Sequence, residues 1–194
     1  MKNGIINVPN DLCDKRIFFR ELMAQIVIHL SPETEFSMRK HIRAVAIIIK
    51  DNDVLLMWRK NQGKEYYVFP GGGTEENETV EEAVLREVRE ETTLKVRIEK
   101  QLYHHHYIND SDQYFYLCSY LSGEPTLGEA NEKEDMLKDN GNFYQPVWMK
   151  IEDLKILLLY PLEIRDWLLE DVKNDFKNTP REASIELKEL RQSL

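Results

Sequence analysis

Residues 44–49 form an unbroken apolar run, Ala-Val-Ala-Ile-Ile-Ile, and the polar trio Asp51-Asn52-Asp53 separates it from a second apolar stretch through Trp58. A short apolar run bounded by turn residues reads as a strand buried on both faces. The pattern therefore predicts strands over 43–50 and 54–59, joined by a tight turn. A further short strand, 66–69, ends at Pro70-Gly71-Gly72-Gly73. The period then changes. Val80, Val84, Leu85 and Val88 recur at helical spacing, which predicts a helix over 76–92, with Thr74 or, less favourably, Asn77 as its cap. Two strands follow over 95–107 and 113–120, the second placing Tyr114, Tyr116, Cys118 and Tyr120 on one side, with the polar segment 109–112 as the turn. A polar loop over 123–142, a strand over 144–149, a helix over 161–176 and a charged helix over 181–192 complete the pattern. Ahead of all this, Ile17, Phe18, Leu22, Ile26 and Leu30 mark one helical face within an N-terminal extension, 1–40, expected to pack on the domain. The order predicts an α+β fold, an α/β/α sandwich with a mixed sheet between helices. The domain is expected over 41–178, with 179–194 as a C-terminal helix.

The helix after the glycine turn carries an unusual charge pattern. With each residue about 100° from the last, Val80, Val84, Val88 and Leu85 fall at about 0°, 40°, 80° and 140°. Glu87, Glu90 and Glu91 fall at about 340°, 280° and 20°, beside the apolar stripe rather than opposite it. Glu82, Arg86 and Arg89 occupy the side where a solvated face belongs. Like charges one turn apart repel by a few tenths of a kcal/mol, so gathering three carboxylates at the seam between helix and core prepares a site for a cation. Carboxylates at i, i+3 and i+4 present hard oxygen ligands of the kind magnesium and manganese prefer, with waters and substrate phosphates completing the shell. Glycines at 71–73 let a backbone approach such a site without a Cβ in the way. The plain alternative is a charged amphipathic helix with ordinary pairing such as Glu82 to Arg86.

Residues 72–94, G-G-T-E-E-N-E-T-V-E-E-A-V-L-R-E-V-R-E-E-T-T-L, resemble the Nudix box, the signature of hydrolases that cleave a nucleoside diphosphate linked to another group. The resemblance spans roughly 41–170 and its specific part is the box. It departs from the family at Thr93, where glycine is usual. Because a β-branched residue is a poor occupant of positive φ, the helix is expected to end by another turn geometry. The resemblance implies that Glu87, Glu90 and Glu91 bind magnesium or manganese, with the Gly71 carbonyl as an extra ligand. It implies that Arg86 orients a neighbouring glutamate and that Glu78 is supporting. Glu87, Arg86 and Glu90 are thus the expected catalytic set. The general base is either Glu87 or a carboxylate of the 123–142 loop, such as Glu129, Glu132, Glu134 or Asp135. Arg59 and Phe69 are candidate substrate contacts. No proline lies between Leu94 and Glu124, which weakens an ADP-ribose reading, and Tyr107 and Tyr114 give no convincing match to the dinucleoside polyphosphate subgroup. A nucleoside triphosphate pyrophosphatase or a nucleotide-conjugate hydrolase fits best. The alternative is a Nudix-like regulatory module that binds a nucleotide without cleaving it.

Charge narrows the partners. A net charge of −9, from 35 acidic and 26 basic residues, gives no general attraction to nucleic-acid backbones, so a small nucleotide substrate is expected rather than a nucleic acid. No apolar run reaches membrane-spanning length, and the first residues lack a secretory pattern. Cys13 and Cys118 match no metal spacing. The expected setting is the cytoplasm, and a homodimer is compatible with the composition. His104-His105-His106 invites a metal reading, but alternate strand residues face opposite sides, so all three cannot converge. Of the aromatics Trp58, Phe69, Tyr144 and Trp148, any could stack on a base, with core packing the simpler role for each.

Overall fold

The run 44–49 sits at the centre of the sheet for the reason its composition suggests. In the computed structural model, which describes residues 41–61, 63–107, 111–127 and 143–185, it lies in β1 (His41–Lys50). Side chains of β1 leave alternately toward two apolar layers. Ala44, Ala46 and Ile48 join Ala83, Val84 and Val88 of helix α1 (Val80–Thr92), while Val45 and Ile47 join Ile164 and Leu168 of helix α2 (Leu162–Asp171). A strand with a helix on each face has no polar side to show, hence the continuous apolar run.

The remaining strands are β2 (Asp53–Asn61), β3 (Lys64–Val68), β4 (Gly71–Gly73), β5 (Lys95–Tyr107), β6 (Ser111–Ser122), β7 (Phe143–Lys150), β8 (Leu159–Tyr160) and β9 (Arg181–Ile185). They form one mixed sheet in the order β8-β3-β2-β1-β6-β5-β9, with β4 also paired to β1 and β7 to β2. β1–β6, β3–β8 and β5–β9 are parallel, and the other pairings are antiparallel. This is the α+β arrangement expected from the order of elements. The β1–β2 hairpin and the strand 143–150 fall where the pattern placed them, whereas β6 starts at Ser111, inside the segment expected as a turn. Among the described residues no helix is long and apolar enough to cross a membrane.

The C-terminal segment departs from expectation. Arg181–Ile185 is not helix but strand, pairing in parallel with 103–107 of β5. Its charges suited a solvated helix, yet an open sheet edge offers backbone partners, and tertiary pairing overrides local preference. Arg181 secures the docking, reaching Asp171 at 2.5 Å and Glu170 at 2.9 Å while its guanidinium lies over Trp167. Asp171 is fully buried and also accepts from the Tyr103 hydroxyl. The helix expected over 161–176 stops at Asp171 and continues as a 3-10 turn, Val172–Asn174. The extension 1–40, the acidic part of the loop at 128–142 and residues 186–194 lie outside the described residues.

The three histidines separate as strand geometry requires. His104 and His106 share one face and both reach the same oxygen of the buried Asp112, at 3.0 and 2.7 Å. His105 turns the other way and is 1% exposed, its Nε2 3.2 Å from the carboxylate of Glu163 in the first turn of α2. Burial, helped by the two neighbouring imidazoles, pushes His105 down to about 4 from an ordinary 6.5. Glu163 works the other way, but it is 44% exposed and solvent screens it. Because the folded value is the lower one, protonation favours the unfolded chain. The contribution of His105 is therefore intact above about pH 6.5 and is lost as pH falls toward 4. In urea titrations across that window, wild-type protein should lose on the order of 2 kcal/mol relative to His105→Leu. Parallel pH profiles for the two proteins would refute this.

Candidate active site

The glycine turn owes its sequence to close packing on both sides. β4 lies against β1 with Gly71 opposite Val45, Gly72 opposite Ala44 and Gly73 opposite Arg43. Gly71 has a φ of 148°, and a Cβ there would strike the backbone carbonyl oxygen of Ala44. At Gly72 a Cβ would land in the carboxylate of Glu87. Glycine at 72 is thus what allows a carboxylate of α1 to rest directly on the strand.

Helix α1 begins later than the periodicity indicated. Its cap is Thr79, not Thr74 or Asn77. The Thr79 hydroxyl accepts from the Glu82 N–H at 3.2 Å, and the Glu82 carboxylate accepts from the Thr79 N–H at 2.9 Å. That reciprocal pair is a capping box, and its T-x-x-E spacing was present in the sequence. Asn77 sits instead in the preceding turn at a φ of 63°. The far end also differs from expectation, because Thr93 does take the left-handed conformation, with φ 60° and ψ 5°. Its N–H donates to Arg89 O at 3.0 Å, and its hydroxyl donates to Glu124 O at 3.1 Å and meets the Thr126 hydroxyl at 3.0 Å. Those bonds hold a branched residue where glycine would ordinarily sit.

Arg86 is the electrostatic centre of the helix. The wheel placed it on the solvated side, yet it is 16% exposed, because residues 73–78 fold over it. Its guanidinium donates to both oxygens of Glu78 at 2.8 and 2.9 Å, to Glu87 at 2.8 Å, to Glu90 at 3.3 Å and to the Gly73 carbonyl at 2.8 Å. This surfeit of acceptors raises the Arg86 pKa, Glu78 first among them, and hydrogen bonding to Arg86 lowers that of Glu78. Glu87 moves upward, since burial beside Gly72 outweighs the pull of Arg86 and Arg43. Glu91, 3% exposed, accepts from the Gly71 N–H at 2.8 Å through one oxygen, while Arg59 lies 3.5 Å from the other.

Gly71, Arg86, Glu87, Glu90, Glu91 and Arg59 are therefore brought to one seam between α1, the glycine turn and β2. Phe69 is not. It is 3% exposed and meets Phe115 edge-on in the apolar layer that α2 covers, packed as a core residue. Arg43 was missed. It donates to the Gly71 carbonyl, a position visible only once β1 and β4 are paired. The loop carboxylates Glu129, Glu132, Glu134 and Asp135 lie outside the described residues.

The donor set suits a hard divalent cation. Three carboxylates and a backbone carbonyl supply oxygen only, and Gly72 leaves room for one of them against the strand. Arg43 uses one lone pair of the Gly71 carbonyl and a second remains. Among the described residues no three or more His, Cys, Asp or Glu side chains are grouped so that they alone could hold a metal ion. A magnesium site that retains waters and borrows substrate phosphates does not require one.

Comparison with known proteins identifies the family. The family model described as the NUDIX domain matches residues 40–170. An ADP-ribose pyrophosphatase of Methanocaldococcus jannaschii is 51% identical over 57 residues, covering 29% of this chain and 34% of that protein. An RNA pyrophosphohydrolase of Halorhodospira halophila is 44% identical over 50 residues, 26% of this chain and 28% of the relative. An 8-oxo-dGTP diphosphatase of Proteus vulgaris is 43% identical over 58 residues, 29% of this chain and 52% of the relative. The chain thus spans about a third of the first two relatives and half of the third. In fold it resembles a NUDIX hydrolase from Nitrosomonas europaea, with a TM-score of 0.58 at 17% identity over 79% of this chain and 83% of that one. It also resembles a MutT structure from work on Aliivibrio salmonicida and Vibrio cholerae, with a TM-score of 0.53 at 22% identity over 69% and 98%.

The two glycines should respond differently to alanine. Gly71→Ala drives a side chain into backbone at positive φ and should destabilise by about 3 kcal/mol or more. Gly72→Ala needs only a carboxylate to move, so the melting temperature should hold while Glu87 is displaced and divalent-cation affinity falls. Equal thermal losses in the two variants would contradict this account. At the helix end, Thr93→Val should cost about 1 kcal/mol through the lost hydroxyl bonds. Thr93→Gly should be neutral or stabilising, since glycine takes this conformation without strain; denaturant midpoints separate the two.

Proposed function

The chain belongs to the NUDIX family, and from that premise we propose that it is a divalent-metal-dependent hydrolase of a nucleoside diphosphate linked to another group. The observation that carries the reading is Glu87 and Glu91 held against the glycine turn, with Arg86 bridging Glu87 to Glu90. Such a grouping is costly for a helix on its own and is useful only where positive charge is to be held.

Glu87, Glu90 and Glu91, with the second lone pair of the Gly71 carbonyl, are the residues that would hold magnesium or manganese. When bound, such an ion supplies charge neutralisation at phosphoryl oxygens. Arg86 fixes the carboxylates of Glu87 and Glu90 and thereby their orientation. Arg59, half-buried beside Glu91, is placed to meet the anionic phosphates of a substrate. Water is the nucleophile. Its oxygen bonds to phosphorus, the P–O bond of the anhydride breaks with its electrons leaving on the departing phosphate, and the water proton passes to a carboxylate. Glu87, whose carboxylate rests against Gly72, is the described residue proposed to take it.

The relatives act, by their names, on ADP-ribose, on RNA and on 8-oxo-dGTP. What these share is a pyrophosphate linkage on a nucleotide, and that linkage is the proposed substrate feature here. The acidic balance of −9 favours a small nucleotide over an RNA chain. A cytoplasmic setting suits Cys118, a buried thiol that burial pushes up to about 12 and so keeps unreactive.

The test is product formation from nucleoside triphosphates (oxidised ones included), ADP-ribose, nucleotide sugars and dinucleoside polyphosphates, each with magnesium or manganese. Wild-type turnover of one class should fall about a hundredfold or more in the Glu90→Gln, Glu91→Gln double variant, with circular dichroism checking that the variant stays folded. Full activity in that variant would overturn the proposal. No turnover at all, with clear nucleotide binding, would favour the non-catalytic binding module instead.

A further inference from the structure

A row of side chains runs outward from the glutamates across three adjacent strands. Tyr66 of β3 stands opposite Arg59 of β2, and Arg59 stands opposite Tyr144 of β7. Directly opposed residues project to the same face of a sheet, and Glu91 identifies this face as the one that carries the site, 3.5 Å from the Arg59 Nη2 atom. The Arg59 guanidinium also lies over the Tyr144 ring, 5.0 Å from its centroid. A single planar cation is thus shared between a carboxylate of the site and an aromatic ring, a geometry that a flat, forked guanidinium suits better than an ammonium.

The other aromatic candidates are committed elsewhere. Trp58 projects to the opposite face and meets Phe143 edge-on, Trp148 meets Tyr120, and Tyr66 is only 6% exposed. Tyr144 is half-buried and stands on the face of the site, opposite Arg59.

We infer that Tyr144 and Arg59 form the nucleobase end of the site, where the planar base of a nucleotide stacks with the Tyr144 ring. The Arg59 guanidinium then spans from that stack to the phosphates held near Glu91. One arginine's reach separates ring from carboxylate, a gap of the kind that the ribose and 5′-phosphate of a nucleotide must bridge. Stacking tolerates any base, because every base has a π-face. The recognised class is therefore a nucleotide defined by base plus phosphate chain, and a bare phosphate chain gains nothing from Tyr144. Tyr144 acts as a specificity residue and takes no part in bond cleavage. The inference rests on the proposed function only in taking the glutamate seam as the phosphate end.

Equilibrium binding in magnesium decides it, using α,β-methylene ATP and α,β-methylene GTP as probes and inorganic tripolyphosphate as the base-free control. Tyr144→Ala should weaken both nucleotides about tenfold or more and leave tripolyphosphate within twofold. Tyr144→Phe, which keeps the ring, should restore nucleotide affinity. Nucleotide affinity unchanged in Tyr144→Ala overturns the inference, as does an equal loss for nucleotide and tripolyphosphate, the mark of a merely structural role. Binding lost selectively in a protein that hydrolyses nothing would uphold Tyr144 and sink the hydrolase reading. Absence of wild-type nucleotide binding would sink both.

Discussion

Glu78, Glu87, Glu90 and Glu91 crowd one seam, and their mutual repulsion has to be balanced before α1 can lie on the sheet. Arg86 provides most of the balance, with three of the four carboxylates within its hydrogen-bonding reach. The fourth, Glu91, is balanced differently, by the Gly71 N–H and by Arg59. Removing one member of such a network leaves the others buried and under-compensated, which costs more than the lost contact. The helix, the turn before it and the glycine strand are therefore one electrostatic unit. Their positions follow from where Arg86 can reach.

That unit sits on a sheet built to be rigid beneath it. β1 is sealed on both faces by apolar layers, and β4 is held to β1 by register as well as by the Arg43 contact to the Gly71 carbonyl. A carboxylate that is to serve the proposed catalysis must be placed to within a fraction of an ångström. The glycine at 72 meets that need by removing the one atom that would stand between Glu87 and the strand. The capping box at Thr79 and the hydroxyl bonds at Thr93 fix the two ends of the same helix. Conformational freedom is thereby removed along its whole length.

Charge and aromatic rings are also arranged by strand pairing. Tyr66, Arg59 and Tyr144 are remote in sequence and adjacent only because β2 lies between β3 and β7. On the opposite face the same strands supply core residues, so one residue of register decides whether a side chain serves the site or the core. Trp58 and Arg59 are neighbours in the chain and end on different sides for that reason alone.

The chain by itself determined the parts that depend on local spacing. The buried central strand, the hairpins, the charged helix after the glycine turn and the Glu87, Glu90 and Glu91 set are legible because apolar periodicity and i, i+3, i+4 spacing are local geometry. The capping box at Thr79 is equally legible, in the T-x-x-E spacing of Thr79 and Glu82. Tertiary structure decided what depends on partners distant in sequence. It turned residues 181–185 into an edge strand, because β5 offered open backbone groups that no local pattern reveals. It drew Arg86 from the solvated side into a carboxylate network, because a preceding turn folded over it. It sent Phe69 into the core and brought Arg43 to the glycine turn, because register, not residue type, fixes which face a side chain meets. Periodicity can say that a residue faces a helix or a sheet, but only the pairing of strands says what stands opposite.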